Sequence, residues 1–141
     1  MAKKTGQCMC GAISLTASGD LNAFNACACD MCRRLTGSQF MSVWTNFADV
    51  EITGADHVRT IQSSDWAERG FCGTCGSTLW YRPTGGETGA GLSLGLFDDL
   101  SDMVFDGHWY TDKTICTLLQ QTPRSPMTEA EAEAHFGEGA E

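Results

Sequence analysis

The sequence predicts a mostly β domain closed by one short helix. Three observations predict it: short runs of alternating apolar and polar residues, turn signals that interrupt those runs, and a single stretch with helical character, residues 127–136. A length of 141 residues suits one core. The 42% hydrophobic and 19% charged residues are ordinary for a globular domain. One domain is expected over residues 1–137, with a frayed tail over 138–141.

Residues 7–17 alternate and end at Ser18-Gly19-Asp20, a turn signal, so they read as a strand with Cys8 and Cys10 on one face. Residues 21–29 read as a second strand that delivers Cys27 and Cys29. Residues 30–35 suit one helical turn stopped by Gly37. Residues 39–47 are rich in aromatic and β-branched side chains and read as a strand. Residues 50–53 and 58–61 are two short strands around a Gly-Ala-Asp turn. Residues 67–71 and 77–82 form a hairpin whose tip is Cys72-Gly73-Thr74-Cys75-Gly76. Residues 83–91 read as a loop because of Gly85, Gly86, Gly89 and Gly91; without a G-K-[ST] run it does not match a phosphate-binding loop. Strands are expected over 92–97 and 104–110, and a further one over 115–119. In the helix over 127–136, Thr128 and Glu131 make a capping-box pattern, and Gly137 is the expected stop.

The chemistry lies in the eight cysteines. Cys27, Cys29 and Cys32 fall in a C-x-C-x-x-C spacing. Alternation along a strand points Cys27 and Cys29 the same way, and the C-x-x-C step turns Cys32 back toward them. Neither a fourth cysteine nor a histidine follows nearby. Cys8-x-Cys10 and Cys72-x-x-Cys75 together make a complete four-cysteine set. Closed four-ligand sites are structural zinc sites, and a site with three protein ligands keeps a position open for chemistry. The expectation is therefore two zinc ions per chain, one structural and one catalytic. Cys116 is left over and reads as a small buried hydrophobe. A secreted, disulfide-stapled domain is the competing reading of eight cysteines. The close C-x-C and C-x-x-C spacings favour metal, and Met1-Ala2-Lys3-Lys4 leads into no apolar run of a signal peptide.

A formal net charge of −9 argues against nucleic acid as a partner. No window approaches the ~20 apolar residues of a membrane span. The expected location is cytoplasmic.

Three ordered motifs carry a family resemblance. Gly6-Gln7-Cys8-Met9-Cys10-Gly11, then residues 27–38 beginning Cys27-Ala28-Cys29-Asp30-Met31-Cys32-Arg33-Arg34, then Phe71-Cys72-Gly73-Thr74-Cys75-Gly76-Ser77 resemble the signature segments of the glutathione-dependent formaldehyde-activating enzymes, a family that also includes centromere protein V. Weaker echoes follow at Asp98-Asp99, His108-Trp109 and Lys113. The resemblance implies a β-tent fold of several short antiparallel sheets. It implies a structural zinc on Cys8, Cys10, Cys72 and Cys75, and a catalytic zinc on Cys27, Cys29 and Cys32. It also implies addition of glutathione to formaldehyde, which is carbon–sulfur lyase chemistry in reverse. One departure is Ala28, where the family often carries histidine.

With a small thiol and a small aldehyde as partners, a thiol entering the open position would lose its proton to the metal, and its thiolate would be the nucleophile. Arg33 and Arg34 are candidate contacts for a substrate carboxylate. Against that, both can be solvated arginines at a helix start. Trp44, Trp66, Trp80 and Trp109 read as core residues. His108 reads as structural or as a proton carrier, and His57 and His135 as surface residues. Two alternatives stay open: a binding module in which both metals are structural, and a zinc hydrolase acting on a different small substrate.

Overall fold

A computed structural model of the chain describes residues 2–114 and 127–136. Ten strands make two sheets. The first is β1 (Ala2–Gln7), β2 (Ser14–Gly19) and β5 (Val50–Thr53), in the order β1-β2-β5. The second holds β3 (Ala23–Cys27), β4 (Phe40–Asn46), β6 (Val58–Ser64), β7 (Ala67–Cys72), β8 (Thr78–Pro83), β9 (Gly89–Ser93) and β10 (Val104–Trp109). Its order is β10-β3-β4-β9-β8-β7-β6. Pairing is antiparallel throughout, except that β10 runs parallel to β3. The mainly β expectation holds. Two helices complete the described residues: α1 (Asp30–Thr36) and α2 (Glu129–Phe136).

Several elements differ from their sequence reading. Residues 7–17 are not one strand. β1 ends at Gln7, and Cys8 to Ala12 form the turn that brings β2 back beside it. The Cys8 N–H donates to the Ile13 carbonyl at 2.9 Å and the Gly11 N–H to the Cys8 carbonyl at 2.9 Å, so local bonds replace ladder bonds there. β3 stops at Cys27, leaving Cys29 to cap α1. The two short strands around the Gly-Ala-Asp turn are present, but they part company: β5 joins the small sheet and β6, which extends to Ser64, the large one. β9 begins at Gly89, inside the expected loop, and the chain turns at Leu94–Leu96 where a strand was expected to continue. Gly89 belongs in a strand here because the Trp44 ring lies in the space that its side chain would occupy, and at Gly91 the Ser42 side chain packs as close as 3.0 Å to where a Cβ would stand.

The capping box is present: the Thr128 N–H donates to Glu131 Oε2 at 2.7 Å, and the Glu131 N–H to Thr128 Oγ1 at 3.3 Å. The expected strand over 115–119, Cys116, the Gly137 stop and the tail over 138–141 lie outside the described residues.

The core fills the space between the two sheets. Leu15 and Ala17 of β2 meet Val43, Leu79, Trp80 and Leu92 of the large sheet, all of them buried. A turn at Leu94–Leu96 closes one end, with an isolated bridge from Gly6 to Phe97. Buried Lys4 ties β1 to the chain beyond that turn through Asp102 and the Asp99 carbonyl.

Leu92 is fully buried on the core side of β9. Leu92→Ala should lower the unfolding free energy by ~2–5 kcal/mol in urea titration. Metal content of the folded protein should not change.

Candidate metal centres and cavity

Two groups of thiols converge in the folded chain. The Sγ atoms of Cys8, Cys10, Cys72 and Cys75 all lie within 4.8 Å of one another, and so do those of Cys27, Cys29 and Cys32. Both clusters can hold a metal ion. A tetrahedral site with metal–sulfur bonds of ~2.3 Å has sulfurs ~3.8 Å apart. Cys8 and Cys10 Sγ stand at 3.6 Å, and Cys10 and Cys72 Sγ at 3.9 Å, so the four-cysteine set fits such a site.

Two similar turns build the four-cysteine cluster. In each, the first cysteine's N–H donates to a carbonyl five residues on: Cys8 to Ile13 and Cys72 to Ser77, both at 2.9 Å. In each, a glycine with positive φ closes the turn, Gly11 at 74° and Gly76 at 80°. Ser77 joins the two turns. Its Oγ accepts from the Met9 N–H at 3.0 Å and sits 3.2 Å from Cys75 Sγ. The hydrogen bond from the Ser77 side chain, with one from the Ser77 backbone, lowers the Cys75 thiol to about 5, which favours the thiolate that a metal binds.

The three-cysteine cluster has a different origin. Cys27 ends β3, Cys29 is the N-cap of α1, and Cys32 lies in the first turn of α1. The Cys32 N–H donates to Cys29 Sγ at 3.4 Å. Burial pulls the Cys29 thiol up, but that N–H and the neighbouring thiols outweigh it and hold it below its ordinary value. Burial pushes the Cys32 thiol up to about 12, against the opposing pull of Arg69. Among the described residues, neither histidine nor acid completes this cluster.

The three cysteines border a cavity of about 330 Å³. It opens on the face of the large sheet opposite the core. Cross-strand partners share a face, and one row of partners runs Trp44, Gly91, Tyr81, Arg69 and Ile61, of which Trp44, Tyr81 and Arg69 line the cavity. Arg69 is 5% exposed, yet among the described residues no carboxylate pairs with it. Its Nη2 donates to Cys32 Sγ at 3.5 Å, and its Nε and Nη1 have no partner among the described residues. Its guanidinium lies 5.2 Å from the Tyr81 ring centre and 5.8 Å from that of Phe40.

The far wall of the cavity comes from the end of β10. Trp109 and Tyr110 line it, and the Ala28 N–H donates to the Trp109 carbonyl at 3.0 Å. Tyr110 holds a left-handed φ of 58°, unusual for a side chain of its size. Asp30, on α1, clamps this wall through Lys113 Nζ at 3.1 Å, and within the helix it also pairs with Arg33 Nη2 at 2.8 Å. These two cations hold the Asp30 carboxyl below its ordinary value. The clamp therefore contributes above the ordinary carboxylate range and is lost as pH falls through the lowered value.

All seven cysteines read as ligands gather into the two expected sets. Arg33 and Arg34 follow Cys32 on α1 but stand outside the cavity lining. Arg33 is engaged by Asp30 and by the Ala28 carbonyl, whereas Arg34 is exposed. The tryptophan reading is corrected. Only Trp80 is a core residue; Trp44, Trp66 and Trp109 line the cavity and are roughly half exposed. They form a wall, which needs one buried side and one open side. His108 bonds Thr114 Oγ1 at 2.9 Å and does not line the cavity. Arg69, Tyr81 and Tyr110 were not singled out from sequence. For Arg69 a signal existed: strand alternation puts this charge on the same face as Ala67 and Phe71.

The comparisons with known proteins agree with this geometry. The family model for glutathione-dependent formaldehyde-activating enzymes matches residues 3–113. A Schizosaccharomyces pombe protein named uncharacterized lyase C29B12.13 is 31% identical over 106 residues, which is 75% of this chain and 77% of that protein. A Rhodobacter sphaeroides protein of known crystal structure has the same fold, with a TM-score of 0.58 at 22% identity, over 72% of this chain and 99% of that one.

The two clusters should respond differently to perturbation. With zinc loaded, graded chelation should empty the three-cysteine set first, as read by metal content. Cys72→Ser, which cuts a tie between distant segments, should unfold the protein or cost several kcal/mol, at least ~3. Cys29→Ser should leave a cooperative thermal transition; equal melting of the two variants would assign a structural role to both clusters.

Proposed function

We propose that this chain, which belongs to the glutathione-dependent formaldehyde-activating enzyme family, is a zinc-dependent carbon–sulfur lyase. Its reaction joins a small thiol to a small aldehyde and, in reverse, cleaves the adduct. The observation that carries this reading is the three-cysteine cluster at the edge of a cavity, with no fourth protein ligand among the described residues. The relative named a lyase supports the reaction class.

The donor set suits zinc, because three thiolates are soft ligands and leave one tetrahedral position for substrate. Bound there, zinc would supply the chemistry of holding a substrate sulfur as thiolate near neutral pH. In the reaction a carbon–sulfur bond forms as the carbonyl π bond opens, and the thiol's proton ends on the new hydroxyl.

The chain's own residues prepare the site. Arg69 supplies a buried positive charge beside Cys32, which offsets the negative charge of the clustered thiolates. Its unpartnered Nε and Nη1 keep hydrogen-bonding capacity behind the cavity wall. The aromatic wall lowers the local dielectric and so strengthens that interaction. Asp30, through Lys113, keeps the Trp109–Tyr110 wall against the cysteine loop. A substrate carboxylate reaching beyond the cavity would meet Arg34, which makes no side-chain bond among the described residues; Arg33 has the weaker case because Asp30 already holds it.

The test is direct. With cobalt in place of zinc, a small thiol should produce a new thiolate–metal absorption band, and thiol plus aldehyde should give the adduct. No band at millimolar thiol would overturn the reading. Arg69→Met should weaken metal loading of the three-cysteine cluster by tenfold or more, since losing one partner of a buried charge pair costs ~3–5 kcal/mol. It should also move the pH midpoint of loading upward, because protons then compete better for the thiolates.

A further inference from the structure

We propose that the molecule taken at this cavity carries a flat aromatic body of about one ring, with its sulfur at the cysteine end. The proposal rests on the thiol reading above and deepens it to a substrate class.

The size of the cavity comes first. About 330 Å³ corresponds to the volume of roughly ten waters at ~30 Å³ each. Formaldehyde has two heavy atoms and would leave most of that space wet.

The lining comes second. Phe40, Trp44, Trp66, Tyr81, Trp109 and Tyr110 all face this one cavity, so both tyrosines of the chain and three of its four tryptophans are there. Trp66 remains 61% exposed and Trp109 55%. Large aromatic surface left open around a concave site is what a ligand covers. Near the ring slot the polar groups are Ser42, Ser63 and Ser64, with the Arg69 guanidinium 5.2 Å from the Tyr81 ring centre. Among the described residues no acidic side chain lines the cavity, although the chain carries a net charge of −9.

The construction of the slot comes third. Trp44 and Tyr81 occupy the same cross-strand row on either side of Gly91. Their ring centres are 6.4 Å apart with planes tilted by 43°. Trp66 meets Tyr81 edge to face at 6.0 Å. Between Trp44 and Tyr81, glycine at position 91 lets the Ser42 side chain pack close to the strand; a Cβ there would meet Ser42 Oγ at 3.0 Å. On the other side of Trp44, Gly89 gives the indole a bare strand to lie on. Three rings are thus held at mutual angles over a stretch of sheet that carries only glycine and a small side chain, the arrangement that receives a further ring by offset or edge-to-face contact.

Tryptophan fluorescence of the zinc-loaded protein tests this with three probes: benzyl mercaptan, 2-mercaptoethanol, and benzyl methyl sulfide, whose blocked sulfur has no thiol proton to lose. Benzyl mercaptan should bind at least tenfold tighter than 2-mercaptoethanol, and benzyl methyl sulfide should quench saturably. Trp66→Ala and Trp44→Ala should each weaken both benzyl probes by roughly two- to tenfold, the loss of one ring contact. Neither should change the affinity for 2-mercaptoethanol. Trp66 is so exposed that its removal leaves the core untouched, and circular dichroism checks that both variants are folded. Equal affinity for the two thiols, or ring affinity unchanged in both variants, would overturn the proposal while leaving the lyase reading in place. Saturable, tryptophan-dependent binding of benzyl methyl sulfide with no thiolate–cobalt band for either thiol would support the aromatic site and sink the thiol reading.

Discussion

The convergence of Cys8, Cys10, Cys72 and Cys75 is the constraint on which the rest of the molecule depends. Cys8 and Cys10 sit in the turn between β1 and β2 of the small sheet, and Cys72 and Cys75 at the β7–β8 tip of the large one. Cys8 and Cys72 are also buried members of the core cluster between the sheets. A metal bound there would tie together two layers that, among the described residues, no strand pair joins beyond the bridge at Gly6 and Phe97. Such a metal would add folding energy directly, because its ligands come together only in the native chain.

Once the small sheet covers one face of the large sheet, the other face is free for chemistry. β4 shows the division within seven residues. Val43 and Thr45 point into the core, while Phe40, Ser42 and Trp44 point to the cavity. β9 does the same with Ala90 and Leu92 on the core side and Gly89 and Gly91 on the other. The core face is closely filled, as protein interiors are. The cavity face is left incomplete, with rings at the edges and glycine in the middle.

Arg69 connects the two demands electrostatically. A buried guanidinium without a carboxylate is costly, and here the neighbouring thiol of Cys32 and the faces of Phe40 and Tyr81 are what it has. The left-handed Tyr110 is a second local cost at the same cavity. Both are sustained by surrounding structure: Arg69 by the strands on either side of β7, with Tyr81 and Ile61 as its cross-strand partners, Tyr110 by the Ala28–Trp109 bond and the Asp30–Lys113 pair. Local costs gathered at one concavity are expected where function sets the requirement.

The two groupings of cysteines were legible in the residues alone, because close C-x-C and C-x-x-C spacings and adjacent glycines are local features whose geometry follows from a few backbone angles. The mainly β class and the C-terminal capping box were legible for the same reason. The strand limits near Cys8, Cys27 and Gly89 were not: Cys8 closes a local turn on Ile13 against the distant second knuckle, Cys29 leaves the strand to cap α1, and Gly89 enters a strand under the distant Trp44 ring. Tryptophan composition likewise said core, and only Trp80 obeyed. Whether a tryptophan is buried or lines a wall turns on which face of the sheet it occupies and what covers that face. That is set by long-range register, such as Trp44 opposite Gly91 and Tyr81 opposite Arg69, which no local pattern encodes.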